Sequence, residues 1–343
     1  MWRGGPEAWD GFGLGGRFAI AEQAGRRRRS EHVSVAQRRR PDSCVPPARV
    51  GYNPRVPPER RHPLRAEPRE IVELRALKTA QPELGPAVDM HIALAELQRR
   101  VQARVSLPWI EVDADRLRQQ LAAGRPLLRF DDIPIDWTEF RLMVRQTTDI
   151  LRRFEALEVA DAERIQTLAR EADVLEAVVR RWYTAGLDRR TGAAVQPPPA
   201  DEPPMLDQVL ALAVRPFLAR CVETVLPRVD IGAWTRGYCP LCGWDPEMAV
   251  ITQSGERRLL CGRCAASWKF DGIACPFCGN DDRTRITSFA TRDGRYRLAG
   301  CDRCQRYLKA YDGRNAARPV MPVVDAVATL PLDAEAVRRG YEG

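Results

Sequence analysis

Eight cysteines stand in four Cys-x-x-Cys pairs between Cys239 and Cys304. The pairs begin Cys239-Pro240-Leu241-Cys242-Gly243, Cys261-Gly262-Arg263-Cys264, Cys275-Pro276-Phe277-Cys278-Gly279 and Cys301-Asp302-Arg303-Cys304. Two cysteines so spaced form a tight turn that aims both sulfurs at one point, where backbone N–H groups of the turn can donate to the thiolates. Proline after the first cysteine fixes φ. Glycine after the second permits the positive φ with which the chain leaves the turn. Two such turns, joined by a β-hairpin, supply four sulfurs in a tetrahedron.

The four pairs read as an internal duplication. The intervening lengths are 18 residues between Cys242 and Cys261 and 22 between Cys278 and Cys301, each enough for a hairpin. A lysine follows each second pair by five residues (Lys269, Lys309), with an aromatic just upstream (Trp268, Tyr307). The spacing predicts two metal ions, each bound by four cysteines. Four turns allow three pairings, a cross-braced one among them. The duplication favours the sequential one, Cys239/Cys242/Cys261/Cys264 and Cys275/Cys278/Cys301/Cys304. His32, His62 and His91 lie far upstream, so both sites are expected to be all-sulfur. Redox-active dithiols, or thiols without metal, are the competing reading. Four thiolates suit zinc or rubredoxin-like iron, and the ligands do not choose between them. A closed four-ligand site has no open position for hydrolytic chemistry.

Eight cysteines clustered in a chain of 343 residues point to metal binding in a reducing compartment rather than to a disulfide scaffold. The formal charge of +8 is a local property. Residues 1–65 hold 14 Arg against 6 acidic residues, which is the whole excess; the remainder is neutral. Residues 239–313 carry 12 basic and 9 acidic side chains. Two divalent ions in thiolate quartets would bring that module to about −1. Nucleic acid, which needs a basic surplus, is therefore the weaker partner class. Arg257, Arg258, Arg263 and Lys269 are expected to offset thiolate charge, with Lys269 and Lys309 on the surface. No apolar run approaches the ~20 residues of a membrane span. Arg26 to Arg29 are followed by no apolar stretch of an export signal, which leads us to expect a cytoplasmic protein.

These turns need a scaffold. Residues 1–67 are expected to form a disordered Arg- and Pro-rich extension. From 68 to 232 the pattern is helical. Ile71, Leu74 and Leu77 share a face, and Met90, Leu94, Leu97 and Val101 repeat with a 3.6 period. Asp136 or Thr138 can cap a helix carrying Phe140, Val144, Leu151 and Phe154. Asp161 is expected to cap the next, with Ile165, Leu168, Leu175, Val178 and Trp182 inward and Gly186 at its end. A proline-rich loop spans 193–204. A last helix runs from Met205 to Leu226 with Pro216 inside it and Cys221 as a small core residue. Short β-like pieces then alternate with turns. The expected architecture is α+β: an all-α N-terminal domain (68–232), two tandem rubredoxin-like or zinc-ribbon β subdomains (233–272 and 273–315), and a C-terminal tail (316–343) with one helix-like stretch from Asp325 to Leu330.

The ordered series Cys239-Pro240-Leu241-Cys242-Gly243, Leu260-Cys261 to Cys264 with Trp268, Cys275-Pro276-Phe277-Cys278-Gly279, and Cys301 to Cys304 with Tyr307-Leu308-Lys309 resembles the formate dehydrogenase accessory protein family, FdhE. Asp325, Leu330, Leu332-Asp333 and Gly340-Tyr341 of the tail are also similar. The resemblance covers roughly residues 68–343. It implies a cytoplasmic maturation factor with rubredoxin-like, iron-binding cysteine sites that contacts the catalytic subunit of a molybdenum-type formate dehydrogenase before export. The Arg-rich residues 1–65 depart from the family pattern, as does Asp325-Ala326 where the family has paired acids. Trp268 and Tyr307 are expected to pack beside the metal turns. The sequence carries no nucleophile–base constellation or phosphate loop, so a non-catalytic role is expected, with no small-molecule substrate. A nucleic-acid-binding double zinc ribbon and a rubredoxin-like electron carrier are the other readings of the same cysteines.

Overall fold

The computed structural model describes residues 67–110, 113–191, 199 and 202–343. The expected disordered extension therefore lies outside the described residues but for Glu67, as do Cys44 and most of the proline-rich stretch. Residues 69–343 fall in one unit and 20–68 in another, of which only Glu67 and Pro68 are described.

Helix α1 (Arg69–Ala80) buries Ile71 and Leu74, and α2 (Gly85–Gln102) buries Met90, Leu94, Leu97 and Val101 along one stripe, as the periodicity requires. After α3 (Ala114–Ala122), α4 (Trp137–Arg153) starts at Asp136, whose carboxylate accepts the Glu139 N–H at 2.9 Å. Phe140, Met143, Val144 and Leu151 face inward from α4.

The single helix expected after Asp161 is two helices, α5 (Val159–Leu168) and α6 (Ala172–Thr191). Arg141 of α4 accounts for the break. Its guanidinium donates to the carbonyls of Ala169 (2.9 Å) and Arg170 (2.7 Å), which would otherwise be orphaned at the end of α5. Asp161 sits in the first turn of α5 while Glu158 takes the N-cap position. Gly186 does not end α6. The helix runs on through it to Thr191, and the Trp244 ring packs against it, at 3.5 Å from where a Cβ would stand. Helix α7 (Leu206–Val225) contains Pro216, and Cys221 is a buried core residue whose thiol faces the Asp132 carbonyl at 3.8 Å.

Six strands follow: β1 (Pro246–Ile251), β2 (Arg257–Cys261), β3 (Ser267–Lys269), β4 (Ile286–Ala290), β5 (Tyr296–Cys301) and β6 (Arg306–Asp312). Each half of the duplication is a three-stranded antiparallel meander. The two meanders share one sheet, in the order β3-β2-β1-β6-β5-β4. The join is parallel pairing of β1 with β6, Met248 opposite Lys309 through Ile251 opposite Asp312. Gly237, ahead of the first cysteine turn, lies so close to the third that a Cβ would meet the Pro276 carbonyl oxygen at 1.9 Å.

The C-terminal stretch holds two helices rather than one, α8 (Pro322–Ala328) and α9 (Leu330–Arg338). Val324 and Val327 of α8 pack with Ile71, Leu74 and Val88. Leu332 and Ala336 of α9, with Tyr341, cover the sheet at Met248, Leu298 and Tyr311. Asp325 is fully buried and acts as a structural hub. It accepts from the Tyr296 hydroxyl (2.7 Å), the Arg318 guanidinium (2.6 Å) and the Met321 N–H (2.6 Å). Asp325→Ala should take from Arg318 its closest carboxylate, leaving only the longer pair with Glu73 at 3.6 Å, and lower stability by about 3–5 kcal/mol. The check is the urea midpoint at constant slope; an unchanged midpoint would mean the hub contributes nothing.

Candidate metal centres

The structure brings the eight cysteines together in two quartets, Cys239/Cys242/Cys261/Cys264 and Cys275/Cys278/Cys301/Cys304, with the sulfurs of each within 4.8 Å of one another. In the first, Cys239 Sγ lies 3.6 Å from Cys264 Sγ, and Cys242 Sγ lies 3.4 Å from Cys261 Sγ and 3.6 Å from Cys264 Sγ. In the second, Cys275 and Cys304 are 3.8 Å apart and Cys278 and Cys301 3.7 Å. Four sulfurs about 2.3 Å from a common ion form a tetrahedron with edges of about 3.8 Å. The observed spacings fit that figure and are far longer than the ~2.05 Å of a disulfide.

All four turns close in the same way. The N–H of Gly243 donates to the Cys239 carbonyl (3.0 Å), Ala265 to Cys261 (3.2 Å), Gly279 to Cys275 (2.9 Å) and Gln305 to Cys301 (2.8 Å). These four residues have φ of 72°, 59°, 71° and 55°. Glycine meets that requirement without strain in the first pair of each unit. Ala265 and Gln305 hold the same left-handed geometry with a Cβ. Backbone N–H groups aim at sulfur in the first quartet: Leu241 to Cys239 (3.4 Å), and Arg263 and Cys264 to Cys261 (3.4 and 3.5 Å). Burial pushes the Cys239 and Cys264 thiols up. Cys261 is just as buried, but donation from its three neighbouring thiols and the Cys264 N–H holds it well below the ordinary thiol range.

The first quartet is sealed by the helical body. The N–H groups of Leu127 and Leu128 donate to the carbonyls of Pro240 and Leu241, both at 2.9 Å. Arg263, inside the second turn, is buried between two indoles. Its guanidinium carbon sits 3.2 Å from the centre of Trp244 and 3.7 Å from that of Trp182 on α6. Among the described residues, its Nε and Nη2, and the Trp182 indole N–H, have no hydrogen-bond partner. Burial pulls its pKa down to about 10, opposed chiefly by Cys242, Tyr183 and Cys261. A buried cation with open donors calls for nearby negative charge. A divalent ion held by four thiolates carries a formal −2, so the orphaned donors fit a charged metal centre beside them.

Of the other expected thiolate-offsetting cations, Arg257 lies near enough to Cys275 to feel its thiolate charge, and Arg258 and Lys269 are engaged elsewhere. Arg258 and Lys269 pair with Glu256 at 3.1 and 3.2 Å. Arg257 donates to the carbonyls of Asp271 and Ala274, bracing the approach to Cys275. Lys309 is not a surface charge. It is buried and donates to Asp333 at 2.8 Å, and the Tyr307 hydroxyl donates to the same carboxylate. Trp268 is fully buried beside the first centre and donates to the Arg236 carbonyl at 3.1 Å. Sequence reasoning missed Trp182, Tyr183 and Trp244 as neighbours of the centre. Only the tryptophan following Cys242-Gly243 and the aromatic end of the α6 stripe hinted at them.

No protein-family model matches the chain. The chain is 36% identical over 110 residues to an FdhE homolog of Shewanella oneidensis, covering 31% of this chain and 36% of that protein. The matched part thus spans about a third of that relative's length. An FdhE homolog of Aquifex aeolicus is 22% identical over 271 residues, 77% of this chain and 88% of that one. The crystal structure of the FdhE protein from Pseudomonas aeruginosa superposes with a TM-score of 0.53 at 23% identity, over 80% of this chain and 91% of that chain. The likeness to the Pseudomonas aeruginosa structure shows a shared fold, and the name FdhE recurs among the relatives that this chain, with its two cysteine quartets, is similar to in sequence.

Proposed function

We propose that the protein is a non-catalytic accessory factor that binds the catalytic subunit of a formate dehydrogenase in the cytoplasm and is needed to form active enzyme. Cys239, Cys242, Cys261 and Cys264 hold one ion, and Cys275, Cys278, Cys301 and Cys304 the other. The observation that carries this reading is the pair of preassembled sulfur quartets, built into one sheet of a chain similar to FdhE proteins. Four thiolates satisfy a tetrahedral ion completely, which suits a clamp that rigidifies a docking surface better than a hydrolytic centre. The donor set accommodates iron in the rubredoxin manner or zinc. Among the described residues no helix is long and apolar enough to cross a membrane.

Anaerobic affinity capture of the full chain, co-expressed with a formate dehydrogenase catalytic subunit, tests the proposal. The subunit should be retained, and formate dehydrogenase activity lost on deleting the gene should return with it. Absence of the subunit, together with salt-sensitive nucleic acid that stays bound after removal of residues 1–65, would replace this reading with the nucleic-acid one.

A further inference from the structure

The duplication supplies its own comparison, because equivalent positions in the two halves have unlike surroundings. In the first half Cys242 and Cys264 are each 2% exposed, whereas their counterparts Cys278 and Cys304 are half-buried. A Cβ on Gly243 would meet Leu187 at 2.6 Å and Pro126 at 2.9 Å, but one on Gly279 would meet none of the described residues within 4 Å. Leu241 is fully buried, while Phe277 is only partly buried and is covered by the Arg306 guanidinium at 3.7 Å. Arg263 is buried between indoles, and its counterpart Arg303 is exposed. Each cysteine turn of the first half is closed over by the helical body. In the second half the outer cysteine of each turn is partly exposed.

From this asymmetry we infer that the two centres have divided roles, on the reading that both quartets hold ions. The first is a sealed, permanent centre that joins sheet to helices. The second is an exchangeable centre, open at Cys278 and Cys304 to small soft-donor ligands, that is, thiols and sulfur- or nitrogen-based chelators. Access explains the difference better than donor strength, since both quartets are all-sulfur and close their turns through the same hydrogen bonds. Reaching the first ion requires the α6 contacts around Arg263 and the bonds from Leu127 and Leu128 to open, and local opening of packed structure is slow compared with direct attack at a surface.

The test uses the full chain loaded with Zn²⁺ alone and challenged with the chromogenic chelator 4-(2-pyridylazo)resorcinol. Release should occur in two phases of one equivalent each, the fast one about tenfold or more ahead of the slow one. Cys304→Ser should remove the fast equivalent and leave the slow phase unchanged. In parallel, brief iodoacetamide treatment of the native zinc-loaded chain, read by peptide mass spectrometry, should modify Cys278 and Cys304 before any cysteine of the first quartet. That order decides the matter even if Cys304→Ser does not fold. A single release rate for both ions, or earlier alkylation of Cys242 or Cys264, would overturn the division of roles while leaving two metal centres in place. A reduced chain that takes up no Zn²⁺ would overturn both.

Discussion

Stripping both ions from the folded chain with a strong chelator should open the six-stranded sheet, at a cost of up to about 10–16 kcal/mol per centre. The strands are three to seven residues long, and β3 has only three. Each half is close to the ~40 residues below which a domain needs a metal or other staple. The core around the first centre runs directly into the sulfurs, since Cys239, Cys242, Cys261, Cys264, Leu241 and Trp268 belong to the same cluster as Val214 and Phe217 of α7. Loss of the ion therefore reaches the helix–sheet contact. Near-ultraviolet circular dichroism and tryptophan fluorescence should report it through Trp244 and Trp268, with recovery on adding metal back. The α1, α2 and α8 contacts do not depend on sulfur, so much of the far-ultraviolet helical signal should persist. Acid should promote the same change. Bound metal requires thiolates, and burial already favours the protonated forms of Cys239 and Cys264, so metal retention should fall as pH falls. An unchanged melting temperature after complete metal removal would contradict the clamp role.

Arg263→Ala is expected to be the most damaging change among residues that are not themselves ligands. It deletes the cation between Trp182 and Trp244, leaves a gap between the two indoles and removes the positive charge beside four thiolates. Breaking one side of such a buried charge pair costs about 3–5 kcal/mol. Loss of a group supporting a metal site lowers metal affinity by about 10–100-fold. Arg263→Lys should recover only part of this, because a compact ammonium restores the charge but not the flat stacking surface. Arg303→Ala, at the equivalent exposed position of the second half, should change stability by no more than about 0.5 kcal/mol. Thermal melts and competition with a chelator distinguish these outcomes. Equal effects at Arg263 and Arg303 would show that the indole-bound arginine has no special role.

The cysteine spacing was the most legible part of the chain because its chemistry is local. Two residues between sulfurs and a hairpin between pairs leave few geometries, and the structure groups the eight sulfurs as the duplication suggested. Helix positions followed from apolar periodicity wherever a face is buried along its whole length, as on α2 and α4. What escaped the sequence depends on residues distant along the chain. The break between α5 and α6 is made by Arg141, more than 25 residues upstream. Gly186 reads as a helix stop until Trp244 is found lying against it. The merging of two ribbons into one sheet rests on β1–β6 pairing, in which main-chain hydrogen bonds leave no side-chain signature. The fates of Lys309 and Tyr307 were set by Asp333 in a segment read as a tail. Arg263 and Arg303 occupy identical motif positions, and only the packing of α6 over the first makes them different.

The most direct measurement is metal quantification of the anaerobically purified full chain, combined with X-ray absorption at the edge of whichever metal is found. Two ions per chain, each surrounded by four sulfurs at about 2.3 Å, are expected. Fewer than two ions with the thiols reduced, or a first shell containing nitrogen or oxygen in place of sulfur, would contradict it.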